Sequence, residues 1–314
     1  MNQIELWLQG SVQEPSIMRV DAVPVAECNL KCEHCFWPHG VRSPKEETFT
    51  YAGEQIARWQ APVVYAGRTL TKRGERFIEA CFNRDVPLGI VDNGYTIWRR
   101  EDFLTHYSHI NISLDGSPEA HDRQRRKKGA FDEAWGTILR LKQRGYDPIV
   151  SSAFSPYSFD GWGELEARLR EHDIPMSVSL VLSYPETVKR GTVVLRSDQQ
   201  VRKGFEVLLS GMPKLINLYD LAFVRALGNM LEEFTWVPSE TGDSLMAKTH
   251  NGGQIVYRPD SVIATTETVF FWDGGFYLPW GKEYVKLDDF SPTHKEQLRA
   301  LNARERAVWE SILR

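Results

Sequence analysis

Cys28, Cys32 and Cys35 put three of the chain's four cysteines within eight residues. Thiolates this close in sequence can converge on one metal centre, and the loop Cys28-Asn29-Leu30-Lys31-Cys32-Glu33-His34-Cys35-Phe36 holds no fourth cysteine. A [4Fe–4S] cluster is normally held by four cysteine sulfurs, so three would leave one iron open to a chelating small molecule. Zinc is the alternative, since His34 and His39 could complete the four ligands it prefers. A disulfide suits the chain less, because Met1-Asn2-Gln3-Ile4-Glu5 lacks the basic, then apolar, pattern of a secretion signal.

A loop of this kind needs a scaffold, and the pattern around it supplies one. Short apolar runs at 18–26, 62–66, 86–92, 109–115, 148–154 and 177–183 read as strands, mostly separated by helix-like stretches. Phe131, Ala134, Trp135, Ile138 and Leu139 follow helical spacing before Gly145, and Phe77, Ile78, Cys81 and Phe82 share one helix face. Cys81 is therefore read as a small core residue, with a cluster ligand or radical-quenching thiol as the rival reading. The cysteine loop follows the first strand, at the end of the sheet where α/β folds bind ligands. Pattern alone leaves a partial barrel and a doubly wound sheet both open. Residues 1–16 form a short alternating segment, and 198–233 read as helix broken at Gly211-Met212-Pro213. Strand candidates at 254–257 and 268–278 and a final amphipathic helix at 293–313 complete the chain. Hydrophobic residues at 42%, charged residues at 25% and a net charge of −4 are those of an ordinary globular chain without a polyanion-binding surplus. No nucleic-acid partner is expected, no apolar run reaches membrane-spanning length, and a reducing cytoplasm is the expected compartment.

The C-x3-C-x2-C spacing resembles the signature of radical S-adenosylmethionine (SAM) enzymes. The likeness extends over about 17–184. Val63-Val64-Tyr65-Ala66-Gly67-Arg68-Thr69-Leu70 stands where that family has an apolar strand and Gly-Gly-Glu-Pro-Leu. Ala66 and Gly67 keep the small side chains that let backbone approach the SAM amino group, whereas Arg68 replaces the usual acid. Asp92-Asn93-Gly94 resembles the family's Asn-Gly turn. Ile112-Ser113-Leu114-Asp115-Gly116, Glu119-Ala120-His121-Asp122 and Gly129-Ala130-Phe131 resemble a Ser-x-Asp-Gly…His-Asp…Gly-x-Phe pattern of a subgroup that includes peptide-modifying enzymes. The resemblance implies an α/β fold, a partial (β/α)6 barrel over 17–185 with a small α+β extension over 186–314. It implies one [4Fe–4S] cluster on Cys28, Cys32 and Cys35, with SAM contacted by Asn93 and Ser113. Asp115 would fix the loop, His34 would stack on adenine, and Arg125 or Arg126 would meet the SAM carboxylate. Leu182 would floor the adenine pocket, unless it is core packing. Tyr65, at the last strand position before the loop, either faces substrate as a catalytic phenol or packs in the core.

Val269-Phe270-Phe271-Trp272-Asp273-Gly274-Gly275-Phe276-Tyr277-Leu278-Pro279-Trp280 resembles the hairpin opening the cysteine-rich SPASM-type extension of that subgroup. Trp280 stands near the position of its cluster cysteine, and no cysteine follows Cys81, so a single cluster is expected. Trp272, Tyr277 and Trp280 could line a substrate pocket. The implied function is hydrogen abstraction by a 5′-deoxyadenosyl radical, from a peptide or peptide-derived natural product. The electron would come from a flavodoxin- or ferredoxin-like donor. A small metabolite (nucleoside, sugar or amino acid) is the rival substrate, and a non-catalytic Fe–S or zinc regulator the rival class.

Overall fold

The computed structural model describes residues 19–25, 27–35, 45, 47–66, 70–181, 194–218, 221–239, 244–257, 268–272, 275–280, 283–286 and 307. Strand and helix alternate first through β1 (Arg19–Ala22), α1 (Glu47–Trp59), β2 (Val63–Ala66), α2 (Lys72–Phe82) and β3 (Leu88–Asp92). A 3-10 segment, Ile97–Phe103, leads to β4 (Tyr107–Ser113), α3 (Pro118–Arg125), α4 (Ala130–Gln143), β5 (Ile149–Phe154), α5 (Trp162–Glu171) and β6 (Met176–Leu180). Then follow α6 (Asp198–Ser210), β7 (Leu215–Leu218), α7 (Leu221–Leu227), β8 (Trp236–Pro238), β9 (Leu245–Lys248) and β10 (Gln254–Tyr257). The last strands are β11 (Thr268–Trp272), β12 (Gly275–Trp280) and β13 (Glu283–Lys286). Among the described residues no helix is long and apolar enough to cross a membrane.

These strands make one 13-stranded sheet in the order β13-β12-β11-β1-β2-β3-β4-β5-β6-β7-β10-β9-β8. From β1 to β7 the strands are parallel and in chain order, as connections through a covering helix dictate. One face is mainly apolar where the helices cover it: Val20, Ala22, Val63, Tyr65, Ile90, Ile112, Val150 and Val178 are all 0–1% exposed. Phe77 of α2 stacks on Phe271 of β11 and meets Phe49 of α1 edge-on, tying the first two helices to the sheet. Each such ring contributes about 1.5–3 kcal/mol by its burial. The opposite face alternates with it and carries Asp21, His109, Asn111, Ser151, Ser177 and Ser179.

One expectation changes here. Residues 198–233, read as broken helix, contain β7, because a four-residue run such as Leu-Ile-Asn-Leu has no length with which to declare its period. The small extension expected after 186 contributes strands to the same sheet: β10 and β11 pair in parallel with β7 and β1 and lengthen it at both ends. The hairpin expected over 269–280 is present as β11–β12, with Phe271 opposite Phe276. The side chains of Trp272, Tyr277 and Trp280, and the helix expected at 293–313, lie outside the described residues.

Tyr65 is also corrected. It shares the helix-covered face with Val63, is fully buried, and its Oη sits against Gly74 of α2. The alternation of β2 therefore points the phenol away from the polar face. A methyl group on Gly74 would collide with that oxygen. Gly74→Ala is expected to cost about 1–3 kcal/mol in urea unfolding, and a Tyr65→Phe background to relieve most of the loss. A penalty unchanged in that background would move Tyr65 off the helix face. Cys81, 0% exposed in α2, has its thiol pushed up to about 12 by burial, which makes it a core residue.

Candidate active site

The cysteine loop leaves the end of β1 and lies over the ends of β3, β4 and β5. Cys28 and Cys35 are half-buried and Cys32 is buried. The Leu30 N–H points at Cys28 Sγ at 3.5 Å, and the Cys35 N–H donates to the Cys32 carbonyl at 3.4 Å. Among the described residues no three His, Cys, Asp or Glu side chains are gathered into a preformed metal centre. The thiols share a loop that a metal would have to complete, as metal binding commonly does.

Beneath Cys32 lies a buried charge pair. Arg125, near the end of α3, grips Asp115 bidentately, Nε to Oδ2 at 2.6 Å and Nη2 to Oδ1 at 3.0 Å. Its Nη1 faces Cys32 Sγ at 3.9 Å. Oδ1 of Asp115 also accepts the Ala153 N–H at 3.0 Å, and His121 Nδ1 accepts the Asp115 N–H at 3.1 Å. Burial opposes ionisation of Asp115, but the Arg125 guanidinium, helped by His121, outweighs it and holds the carboxyl well below its usual range. Burial lowers the His121 pKa, against the pull of the neighbouring Asp115 carboxylate. Burial pushes the Cys32 thiol up to about 11 even beside Arg125. His34 points inward rather than out to solvent. Its Nδ1 is buried with no hydrogen-bond partner among the described residues. Burial first, then Arg125, lowers its pKa to about 3.

The turn after β3 is fixed by Asp92, whose buried carboxylate accepts the Gly94 N–H at 2.7 Å and the Thr96 hydroxyl at 3.1 Å. Thr96 Oγ1 in turn accepts the Leu70 N–H at 2.8 Å, so this turn anchors the chain that follows β2. Gly94 has φ +90° and passes so close to Ala134 of α4 that no side chain would fit. Thus placed, Asn93 donates from Nδ2 to Asn29 Oδ1 at 2.7 Å, tying the turn to the cysteine loop. Ser113 closes β4 opposite Ser151, and Ala66 ends β2 on the half-buried face. Gly67, Arg68 and Leu182 lie outside the described residues.

The structure thus ties the cysteine loop to Asn93 through Asn29 and to the Asp115–Arg125 pair through Cys32, with Ser113 two residues before Asp115. Two expectations shift in the process. Arg125 is committed to Asp115 and Cys32, and Arg126 is exposed and paired with Glu33 at 2.9 Å, so both guanidiniums already have anionic partners. His34 lies with the Asp115–Arg125 group. The sequence reading missed Glu33, Gln124, Ser155 and Tyr157. Tyr157 donates to Glu33 Oε2 at 3.0 Å across 124 positions, a separation no local pattern records. Asp122, quoted only as part of a motif, accepts the Gly129 and Phe131 N–H groups and so starts α4.

The residues present fit an iron–sulfur cluster in donor type: three cysteine sulfurs, a guanidinium facing one of them, and an orphaned imidazole nitrogen beside them. No family model matches the chain. It is 25% identical over 176 residues to sporulation killing factor maturation protein SkfB of Bacillus subtilis (strain 168), covering 50% of this chain and 43% of that protein. It is 24% identical over 201 residues to Fe-coproporphyrin III synthase of Methanosarcina barkeri (strain Fusaro / DSM 804), covering 60% and 50%. The chain therefore spans about half the length of these curated relatives. In fold it is similar to Streptococcus suis SuiB bound to precursor peptide SuiA, with TM-score 0.64 and 14% identity over 93% of this chain and 66% of that one. It is also similar to anSMEcpe with bound AdoMet and Cp18Cys peptide, with TM-score 0.51 and 16% identity over 62% and 59%. The chain is thus similar in sequence to these two curated proteins over about half of its length, and similar in fold to SuiB and anSMEcpe.

Proposed function

We propose that the chain is a radical SAM enzyme with a single [4Fe–4S] cluster, acting on a peptide or peptide-derived natural product. One observation carries this: the three-cysteine loop is hydrogen-bonded to Asn93 in the turn after β3 and to Gln124 of α3, with Arg125 facing Cys32. When bound and reduced by one electron, the cluster and SAM would supply the chemistry for hydrogen-atom abstraction from substrate. Cys28, Cys32 and Cys35 would hold the cluster. Asn93, Ser113, Ala66, Gly67 and Arg68 would bind SAM, with Leu182 flooring its adenine. Asp115 orients Arg125 beneath Cys32, leaving the SAM carboxylate to another cation. The six leading parallel strands in chain order support reading 17–185 as a partial (β/α)6 barrel, with 1–16 before it and 186–314 as an extension. Its polar face would orient the substrate next to the reacting carbon. Tyr65 serves the core in this reading.

The peptide preference draws on SuiB, whose structure holds a precursor peptide, and on anSMEcpe, whose structure holds AdoMet and a peptide. The match to Fe-coproporphyrin III synthase favours the second reading, a small metabolite. A flavodoxin- or ferredoxin-like donor and a cytoplasmic setting complete the proposal. Anaerobic reconstitution with iron and sulfide should load about four irons per chain, and dithionite with SAM should yield 5′-deoxyadenosine. One tightly held zinc with SAM left intact would overturn the reading. A precursor-peptide gene beside the coding gene, whose product is modified by the enzyme, would decide for peptide. Turnover of a metabolite alone would decide against it.

A further inference from the structure

We infer that Glu33 is a positioning residue that clasps the cysteine loop to the sheet and so controls how firmly Cys32 and Cys35 hold their metal group. The inference rests on the reading of that loop as a cluster site. Glu33 lies directly between Cys32 and His34 in sequence, and three contacts fix it from outside the loop. Its N–H donates to the Gln124 carbonyl at 2.9 Å, Oε2 accepts from the Tyr157 hydroxyl at 3.0 Å, and Oε1 accepts from Arg126 Nε at 2.9 Å.

Each partner is itself held. Gln124 is fully buried, donates from Nε2 to the Ala153 carbonyl at 2.8 Å, and accepts the Ser155 hydroxyl on Oε1. Tyr157 donates its N–H to Ser155 Oγ at 3.1 Å, and Arg123 covers its ring at 3.9 Å. Arg126 caps α3 in the left-handed conformation at φ 54°, which costs a side-chain-bearing residue energy and here aims the guanidinium at Glu33.

The contacts close into a ring. From Ser155, whose N–H donates to Ser158 Oγ at 3.1 Å, Ser158 donates to the Asp115 carbonyl at 2.6 Å. Asp115 grips Arg125, and Arg125 returns to Cys32 Sγ. Cys32 is thus held from both sides: by its own sulfur through Arg125, and by the next residue through Gln124 and Tyr157. A loop with thiols at three positions and so few backbone bonds of its own needs such an external frame.

The test compares wild type, Glu33→Ala, Glu33→Gln and Tyr157→Phe as anaerobically reconstituted proteins. Iron release to a chelator and the electron paramagnetic resonance spectrum of the reduced cluster are measured on each. Glu33→Ala, losing two charge-assisted or polar acceptors, should release iron at least about ten-fold faster. Tyr157→Phe, losing one donor, should release it about three-fold faster. Glu33→Gln keeps one acceptor and should fall between Glu33→Ala and wild type. The Glu33→Ala spectrum should also broaden or shift, which a purely structural loss elsewhere would not cause. Wild-type release rates and spectra in both Glu33→Ala and Tyr157→Phe would overturn the clasp while leaving the cluster reading intact. A wild-type protein that takes up no iron would overturn both.

Discussion

An Asp115→Asn variant is expected to lose about 3–5 kcal/mol of stability and most of its capacity to retain iron. Asp115 is fully buried, and Arg125 beside it is 8% exposed. Removing the carboxylate charge leaves a guanidinium in the interior without its anionic partner, and an uncompensated buried charge is costly. The carboxylate also accepts the Ala153 N–H, so its loss loosens the junction of β4 and β5 as well as α3. Urea unfolding of the anaerobic protein and its iron content measure the two effects. A double Asp115→Asn, Arg125→Met variant should recover a large part of the stability, since the pair then holds no buried charge. It should not recover full iron retention, because the group facing Cys32 has gone. Equal losses in the single and double variants would show that the pair is not coupled.

The same carboxylate has a signature in pH. Its folded pKa lies well below that of the unfolded chain, so its contribution is fully present above about pH 4 and is lost as pH falls toward the folded value. Wild type should therefore lose stability faster than Asp115→Asn on acidification below about pH 4. Parallel acid limbs would mean that the carboxylate is not held ionised by Arg125.

How much of this was legible in the sequence depended on distance along the chain. The cysteine spacing, the Asn-Gly turn and the Ser-Leu-Asp-Gly strand end are local, and each falls where β1, β3 and β4 deliver it. The first six strands were readable because a parallel strand buried by helices leaves a short apolar run between turn residues. What stayed hidden was pairing across the fold. Nothing near Arg125 announces Asp115 as its partner in preference to SAM, and nothing near Tyr157 announces Glu33. Tyr65 shows the limit of position alone: being last on a strand says where a residue lies, but the period of two decides which face receives it. Past residue 186 the strands are short, so β7 looked like part of a helix. The edge pairing of β10 and β11 had no local sign.

Lys214→Met is expected to destabilise the protein by about 3–5 kcal/mol while leaving the iron content of the folded fraction unchanged. Lys214 Nζ meets Glu166 Oε1 at 2.6 Å, with side-chain exposures of 1% and 5%. It also donates to the Leu208 carbonyl at 2.6 Å near the end of α6. Glu166, on α5, accepts from Trp162 Nε1 at 2.8 Å and from the Met212 N–H at 3.2 Å. The carboxylate rests so closely on Gly211 that no side chain would fit there. This pair is the hinge at which the chain turns from α6 into β7. Burial lowers the Lys214 pKa while Glu166 opposes the shift, as expected of a cation kept inside by its partner. Methionine fills the volume but leaves Glu166 with two donors and no counter-charge. Lys214 precedes β7 at the N-terminal edge of the sheet, whereas Asp115 follows β4 at the other edge, so the two losses should add when combined. A Lys214→Met, Glu166→Gln double variant should regain much of the stability by removing the orphaned charge. Iron loss in Lys214→Met matching that of Asp115→Asn would show that the two ends of the sheet are coupled, against the separation argued from their positions.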